Sequence, residues 1–144
     1  KDEEFPSIML MEYVAGNEFT VDCFSINGEM ILRTAKTRDA INTGLAMAFK
    51  TVEREDLIEY SKKIVQKIKI DYYANIQFKG DKLLEINPRV STFVYQDDFN
   101  IPYLGVKYLL GEIDLNGLKE YNKNIRLSRR TIRYYDQVFW DSEL

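Results

Sequence analysis

Apolar and polar positions alternate, or nearly so, through Ile8–Val14 and again through Phe19–Ile26, with Ala15-Gly16-Asn17 between the runs. Alternation puts successive side chains on opposite faces of an extended chain, so each run predicts a strand with one buried face. The second run ends on Asn27-Gly28, residues that tolerate the positive φ of a tight hairpin turn. Glu29 to Arg38 reads as the returning strand, which makes residues 7–38 an antiparallel meander. Residues 39–50 contain Asn42-Thr43-Gly44 and small residues through Ala48, and read as a loop with a short ordered insert.

The period then changes. Thr51 reads as a helix cap, followed by Glu53, Glu55 and Asp56 near the positive end of the helix dipole. Leu57, Ile64 and Ile68, with Ser61 between them, share one face at helical spacing and predict an amphipathic helix over 53–69. Tyr73–Lys79 and Lys82–Asn87 predict two strands joined by Gly80-Asp81, ended by Pro88, which has no N–H for a ladder. Ile101 to Gly111 predicts a second helix with Pro102 in its first turn and Gly111 as its stop. Thr131–Trp140, rich in Tyr and Phe, predicts a last strand. Strands, helix, strands, helix, strand is an α+β order, with a mainly antiparallel sheet flanked by helices.

Composition narrows the chemistry. The 144 residues suit one domain, and 20 Lys and Arg against 23 Asp and Glu leave a formal charge of −3. No basic excess is available for neutralising phosphates, so neither a nucleic acid nor an anionic membrane is an expected partner. The apolar stretch Ile8–Met11 is only four residues long and flanked by acids, too short for a membrane span. The absence of His removes the Ser-His-Asp and Cys-His schemes and His-based metal sites. A lone Cys23 in a strand reads as a small buried hydrophobe and fits a reducing, cytoplasmic setting. The chain begins without Met, which suggests a processed product or a piece of something longer.

Two clusters carry candidate chemistry. On the predicted hairpin, Asn75 and Gln77 share one strand face and Glu85 and Asn87 share a face of the partner, with Arg89 just beyond the strand end. If those faces coincide, a carboxylate and amide oxygens converge as hard ligands suited to Mg²⁺, beside an Arg fit for phosphate. A solvated sheet face is the plain alternative. The second cluster is Glu12-Tyr13-Val14-Ala15-Gly16-Asn17-Glu18, two acids flanking a Gly-containing connection, which alone reads as a hairpin with exposed acids. Arg33, Lys36 and Arg38 on the third strand either face a cleft or line a solvated face.

Together, Glu12 to Asp22, then Asn75 to Gln77, then Leu84 to Arg89 resemble the ATP-grasp superfamily in order and spacing, over about residues 7–112. The nearest flavour is the carbamoyl-phosphate synthase large subunit and related carboxylate–amine ligases, and the fold implied is the C-terminal half of an ATP-grasp fold. By that resemblance Glu12 binds the adenine amino group, Tyr13 and Val14 lend backbone groups, and Glu18 holds the ribose hydroxyls. Gln77 and Glu85 ligate Mg²⁺ (Mn²⁺ as an alternative ion), with Glu85 bridging two ions and Asn87 completing the shell of the second ion. Arg89 is the catalytic contact to the terminal phosphate or acyl phosphate. Asn42-Thr43-Gly44 resembles a segment near the nucleotide where relatives carry His-Thr-Gly. Val90–Val94 and Asp97-Asp98-Phe99 depart from the pattern on the acceptor side, so the carboxylate and nucleophile substrates stay open.

The implied activity is a carbon–nitrogen ligase that uses ATP to activate a carboxylate. The resemblance assigns residues 1–112 to the C-terminal ATP-grasp subdomain and 113–144 to an extension of the same domain with a final strand. An N-terminal domain and a lid are its implied partners, so the isolated chain is expected to turn over little or no substrate. The basic stretch from Lys119 to Arg133 reads as a docking surface for another part of the same protein, and a homodimer is left open. The rival from a different class is a non-catalytic nucleotide-binding or assembly domain that keeps the sheet.

Overall fold

The computed structural model describes residues 7–137 and 139. At its centre lies β1 (Glu18–Ile26), paired antiparallel on one side with β2 (Glu29–Thr37) and on the other with β5 (Tyr72–Lys79). The β1–β2 turn is Asn27-Gly28, with φ of 51° and 75°, the left-handed pair that a two-residue hairpin of native twist requires. Beyond β5 comes β6 (Lys82–Asn87), and beyond β2 comes a hairpin of β3 (Ala40–Asn42) and β4 (Leu45–Val52). The order is β3-β4-β2-β1-β5-β6, and β9 (Arg130–Ile132) pairs with β4, completing a seven-stranded antiparallel sheet. A two-stranded ribbon, β7 (Tyr95–Gln96) and β8 (Phe99–Asn100), leads into α2 (Ile101–Leu109) and α3 (Leu115–Glu120). The fold is α+β, as the hydrophobic pattern predicted.

Helix α1 (Glu55–Ile68) covers one face of the sheet. Its Leu57, Ile58 and Val65 join Val21, Cys23, Ala74, Ile76 and Phe78 in one apolar core. Side chains one position along each strand point the other way. There Phe24 and Leu32 meet Phe93, Phe99, Ile101, Leu104 and Leu118 in a second core under α2 and α3. Tyr73 Oη donates to the Pro102 carbonyl at 2.8 Å and ties α2 to β5.

Several local expectations are corrected. Ile8–Val14 joins no ladder among the described residues, although it alternates. Residues 39–50 are not a loop, because β3 and β4 make a hairpin through Thr43-Gly44. Thr51 lies in β4 rather than at a helix cap; its hydroxyl donates to Arg126 O at 2.6 Å and accepts from Arg129 N at 3.1 Å. The buried stripe of α1 is Leu57, Ile58, Ser61 and Val65, while Ile68 is exposed. Helix α3 went unpredicted; Asp114 caps it by accepting from Gly117 N at 2.7 Å. The final strand covers Arg130–Ile132 only. Tyr134, Tyr135 and Phe139 are exposed, and Val138 and Trp140 lie outside the described residues.

Candidate functional site on the open sheet face

Register brings the predicted ligand residues together. Gln77 stands opposite Glu85 and Asn75 opposite Asn87 across β5–β6, while Thr20 and Asp22 of β1 stand opposite Gln77 and Asn75. Cross-strand partners share a face. Asn75, Gln77, Glu85 and Asn87 therefore form one polar patch on the side away from α1, continuous with Thr20 and Asp22. Asn87 Nδ2 donates to Glu85 Oε1 at 2.8 Å, and Arg89 Nη2 donates to Asn87 Oδ1 at 3.3 Å. Glu85 and Arg89 are exposed, so each keeps polar atoms free for a ligand.

The depth of the patch is buried. Gln77 Nε2 donates to Asn75 Oδ1 at 3.3 Å, and Asn75 Nδ2 donates to Asp22 Oδ1 at 2.6 Å. Lys36 Nζ donates to Asp22 Oδ2 and to the Thr92 carbonyl. Asp22, Lys36 and Asn75 are fully buried. Burial pushes the Asp22 carboxyl above the usual carboxylate range, while the Lys36 charge and hydrogen bonds from Lys36, Asn75 and the Val94 N–H hold it down. Burial likewise lowers the Lys36 ammonium, and Asp22 opposes that. Lys36 Nζ also lies 5.3 Å and 5.9 Å from the centroids of the Phe49 and Phe93 rings.

The acidic cluster sits at the adjoining edge. Gly80 N donates to Asn17 O at 2.9 Å, which lays residues 12–18 along the β5–β6 turn. Glu18 accepts from Lys79 Nζ at 3.1 Å and from Arg38 Nε at 3.3 Å, and Glu12 accepts from Lys82 Nζ at 2.6 Å. Tyr13 is exposed and Val14 half-buried. Arg38 Nη2 also donates to Gly44 O at 2.9 Å, so the Asn42-Thr43-Gly44 turn reaches the same edge. Lys36 of β2 and Arg38 just beyond its end belong to this face. Arg33 pairs with Cys23 in register and belongs to the other. Burial pushes the Cys23 thiol up to about 12, which fits an inert core residue.

Among the described residues no three of His, Cys, Asp and Glu gather at a point. The patch instead offers one carboxylate flanked by amides, a set suited to an ion that takes its remaining oxygens from phosphates and water. A cavity of about 900 Å³ lies elsewhere, between Gly28–Ile31, Lys62 and Gln66 of α1, and Lys119, Asn122 and Lys123. Sequence reasoning assigned no role to Asp22 or Thr92 and left Lys36 undecided. The available signal was charge inside apolar strands: Asp22 between Val21 and Cys23, Lys36 directly after Ala35.

A family model described as "ATP-grasp in the biosynthetic pathway with Ter operon" matches residues 4–132. The chain belongs to this ATP-grasp family. A search of the curated proteins finds no match. As an ATP-grasp protein it has an ATP-binding, ligase-type function. None of its described helices is long and apolar enough to cross a membrane.

Proposed function

We propose that this ATP-grasp chain forms the magnesium–ATP face of a carboxylate–amine ligase of the carbamoyl-phosphate synthase kind. One observation carries the reading: the cross-strand pairs Gln77–Glu85 and Asn75–Asn87 gather hard oxygen donors beside Arg89 on the sheet face away from α1. The donors fit Mg²⁺ or Mn²⁺. The Gln77 nitrogen is engaged by Asn75, which leaves its Oε1 as the remaining polar atom. Thr20 Oγ1, across from Gln77, is a buried hydroxyl with no partner among the described residues.

Gln77, Glu85 and Asn87 would hold the ion, which when bound supplies positive charge to the phosphoryl oxygens. Arg89 adds a planar pair of N–H donors for the transferred phosphate. The γ-phosphoryl group passes from ATP to a substrate carboxylate oxygen with ADP leaving. An amine then attacks the acyl carbon, loses a proton, and phosphate departs. No protein nucleophile is needed. Glu12, the Tyr13–Val14 backbone and Glu18 would take the adenosine, with Glu18 exchanging its contacts to Lys79 and Arg38 for ribose hydroxyls.

Residues 1–112 then form the nucleotide subdomain and 113–144 an extension of the same domain. The packing of Leu118 into the second core and the pairing of β9 with β4 support that reading. A lid and N-terminal domain of the same protein remain its proposed partners, and a measured ligase rate from the isolated chain would contradict that dependence. The direct test is calorimetric binding of magnesium–ATP, together with ADP release in the presence of carboxylates and ammonia. Glu85→Ala is expected to abolish metal-dependent binding and to lower any turnover by about 10²–10³-fold. Unchanged metal-dependent binding would refute the ligand assignment. Tight ATP binding without turnover in the full-length protein would favour the non-catalytic rival.

A further inference from the structure

The buried pair Asp22–Lys36 lies beneath the proposed ligand set and touches none of the atoms assigned to ATP or metal. An ion pair taken out of water loses most of its Coulombic gain to desolvation, and well-packed apolar residues in its place are often neutral or stabilising. Stability alone is therefore a weak account of this pair, and its hydrogen bonds supply a better one. Asp22 accepts from Lys36, from Asn75 Nδ2 at 2.6 Å and from the Val94 N–H. Lys36 donates to the Thr92 carbonyl. These bonds run in two directions. One goes through Asn75 to the Gln77 amide; the other reaches Thr92 and Val94, which follow Arg89 in the chain.

We propose that Asp22 and Lys36 are positioning residues that hold the Gln77 amide and the Arg89-bearing segment in register. Fixing Asn75 Nδ2 on Asp22 turns Asn75 Oδ1 toward Gln77 Nε2, and that choice of amide orientation leaves Gln77 Oε1 for a ligand. Holding Thr92 O and Val94 N anchors the chain after Arg89, whose near end is already fixed by Asn87 on β6. An apolar pair would fill the same space yet leave Asn75 Nδ2 and Thr92 O buried without partners. The proposal rests on the ligand reading of Gln77 and Arg89 given above.

The test uses Mn²⁺ with a non-hydrolysable ATP analogue, followed by electron paramagnetic resonance, alongside thermal unfolding of the same samples. Lys36→Met is expected to weaken Mn²⁺ binding about 10–100-fold, the usual effect of removing groups that orient metal ligands. Lys36→Arg should recover most of that loss. Should Lys36→Met fail to fold, Asp22→Asn reads the same effect, since its amide cannot accept from both Lys36 and Asn75 through carboxylate oxygens. Val65→Ala, in the core under α1, controls for lost stability and should leave Mn²⁺ affinity unchanged while it remains folded. Weakened binding by Glu85→Ala with unaltered binding by folded Lys36→Met or Asp22→Asn would overturn the positioning role alone. Equal loss in Val65→Ala would overturn it as well. Absence of Mn²⁺ binding by the parent protein, or indifference to Glu85→Ala, would overturn the ligand reading and this inference with it.

Discussion

The two faces of the central sheet are built on different principles. Toward α1, Val21, Cys23, Ala74, Ile76 and Phe78 meet Leu57, Ile58 and Val65 in a mainly apolar core, with the Ser61 hydroxyl buried beside them. On the other face, Phe24 and Leu32 sit in an apolar core at one end. Moving along the strands, Asp22, Lys36 and Asn75 are buried but polar, and Glu85 and Arg89 are exposed. The first face is held by hydrophobic burial, which has no direction and tolerates any shape that fills the space. The second is held by hydrogen bonds, where each donor must find its own acceptor. Stability can be spread over many apolar contacts, whereas an arrangement of ligand atoms depends on a few specific bonds.

Neighbours on one strand offer the sharpest break of that contrast. Phe78→Ala removes a fully buried ring beneath α1 and should cost about 3–5 kcal/mol, read from urea unfolding. Gln77→Ala, one residue away on the other face, orphans the buried Asn75 Oδ1 and should cost about 1–2 kcal/mol while removing metal-dependent ATP binding. Comparable stability losses for the two would erase the distinction between the faces.

Gly105→Ala probes the apolar end of the second face. A Cβ there would lie 2.5 Å from Tyr73 Oη and 2.8 Å from the Phe24 ring, so α2 or the ring must shift. The expected loss is about 1–3 kcal/mol in thermal or urea unfolding, with nucleotide binding retained. A neutral result would mean that α2 packs more loosely than the contacts require.

The smallest effect lies outside both cores. Arg54 donates to Asp56 at 2.8 Å and 2.7 Å, and this hydrogen bonding holds the Asp56 carboxyl below its ordinary 3.8. A carboxyl with a lowered folded-state pKa contributes stability above its unfolded value and loses it as pH falls through the folded one. Asp56 is exposed, so Asp56→Asn should cost only about 0.2–1 kcal/mol at pH 7. That difference should shrink below pH 3.8 and with added salt, as unfolding curves at several pH values would register.

Much of this fold was legible in the sequence. Asn27-Gly28 and Gly80-Asp81 marked two hairpins, and alternation identified β1, β2, β5 and β6, because turn chemistry and strand period are local properties. Distant partners obscured the rest. Ala46-Met47-Ala48 shows little alternation, and β4 is defined by pairing with β2 and with β9, whose Thr131 stands opposite Phe49. Ile8–Val14 alternates but has no strand beside it among the described residues, so a strand pattern alone did not make a strand.

The polar patch divides in the same way. By itself the sequence determined that Asn75 shares a face with Gln77 and Glu85 with Asn87, because side chains two apart on a strand point the same way. It also pointed to the ATP-grasp superfamily through the order of those motifs. Only the tertiary structure decided that the two faces coincide and that Asp22 and Lys36 meet beneath them. Register is a relation between strands, and a buried charge reveals its partner only when the sheet closes around it.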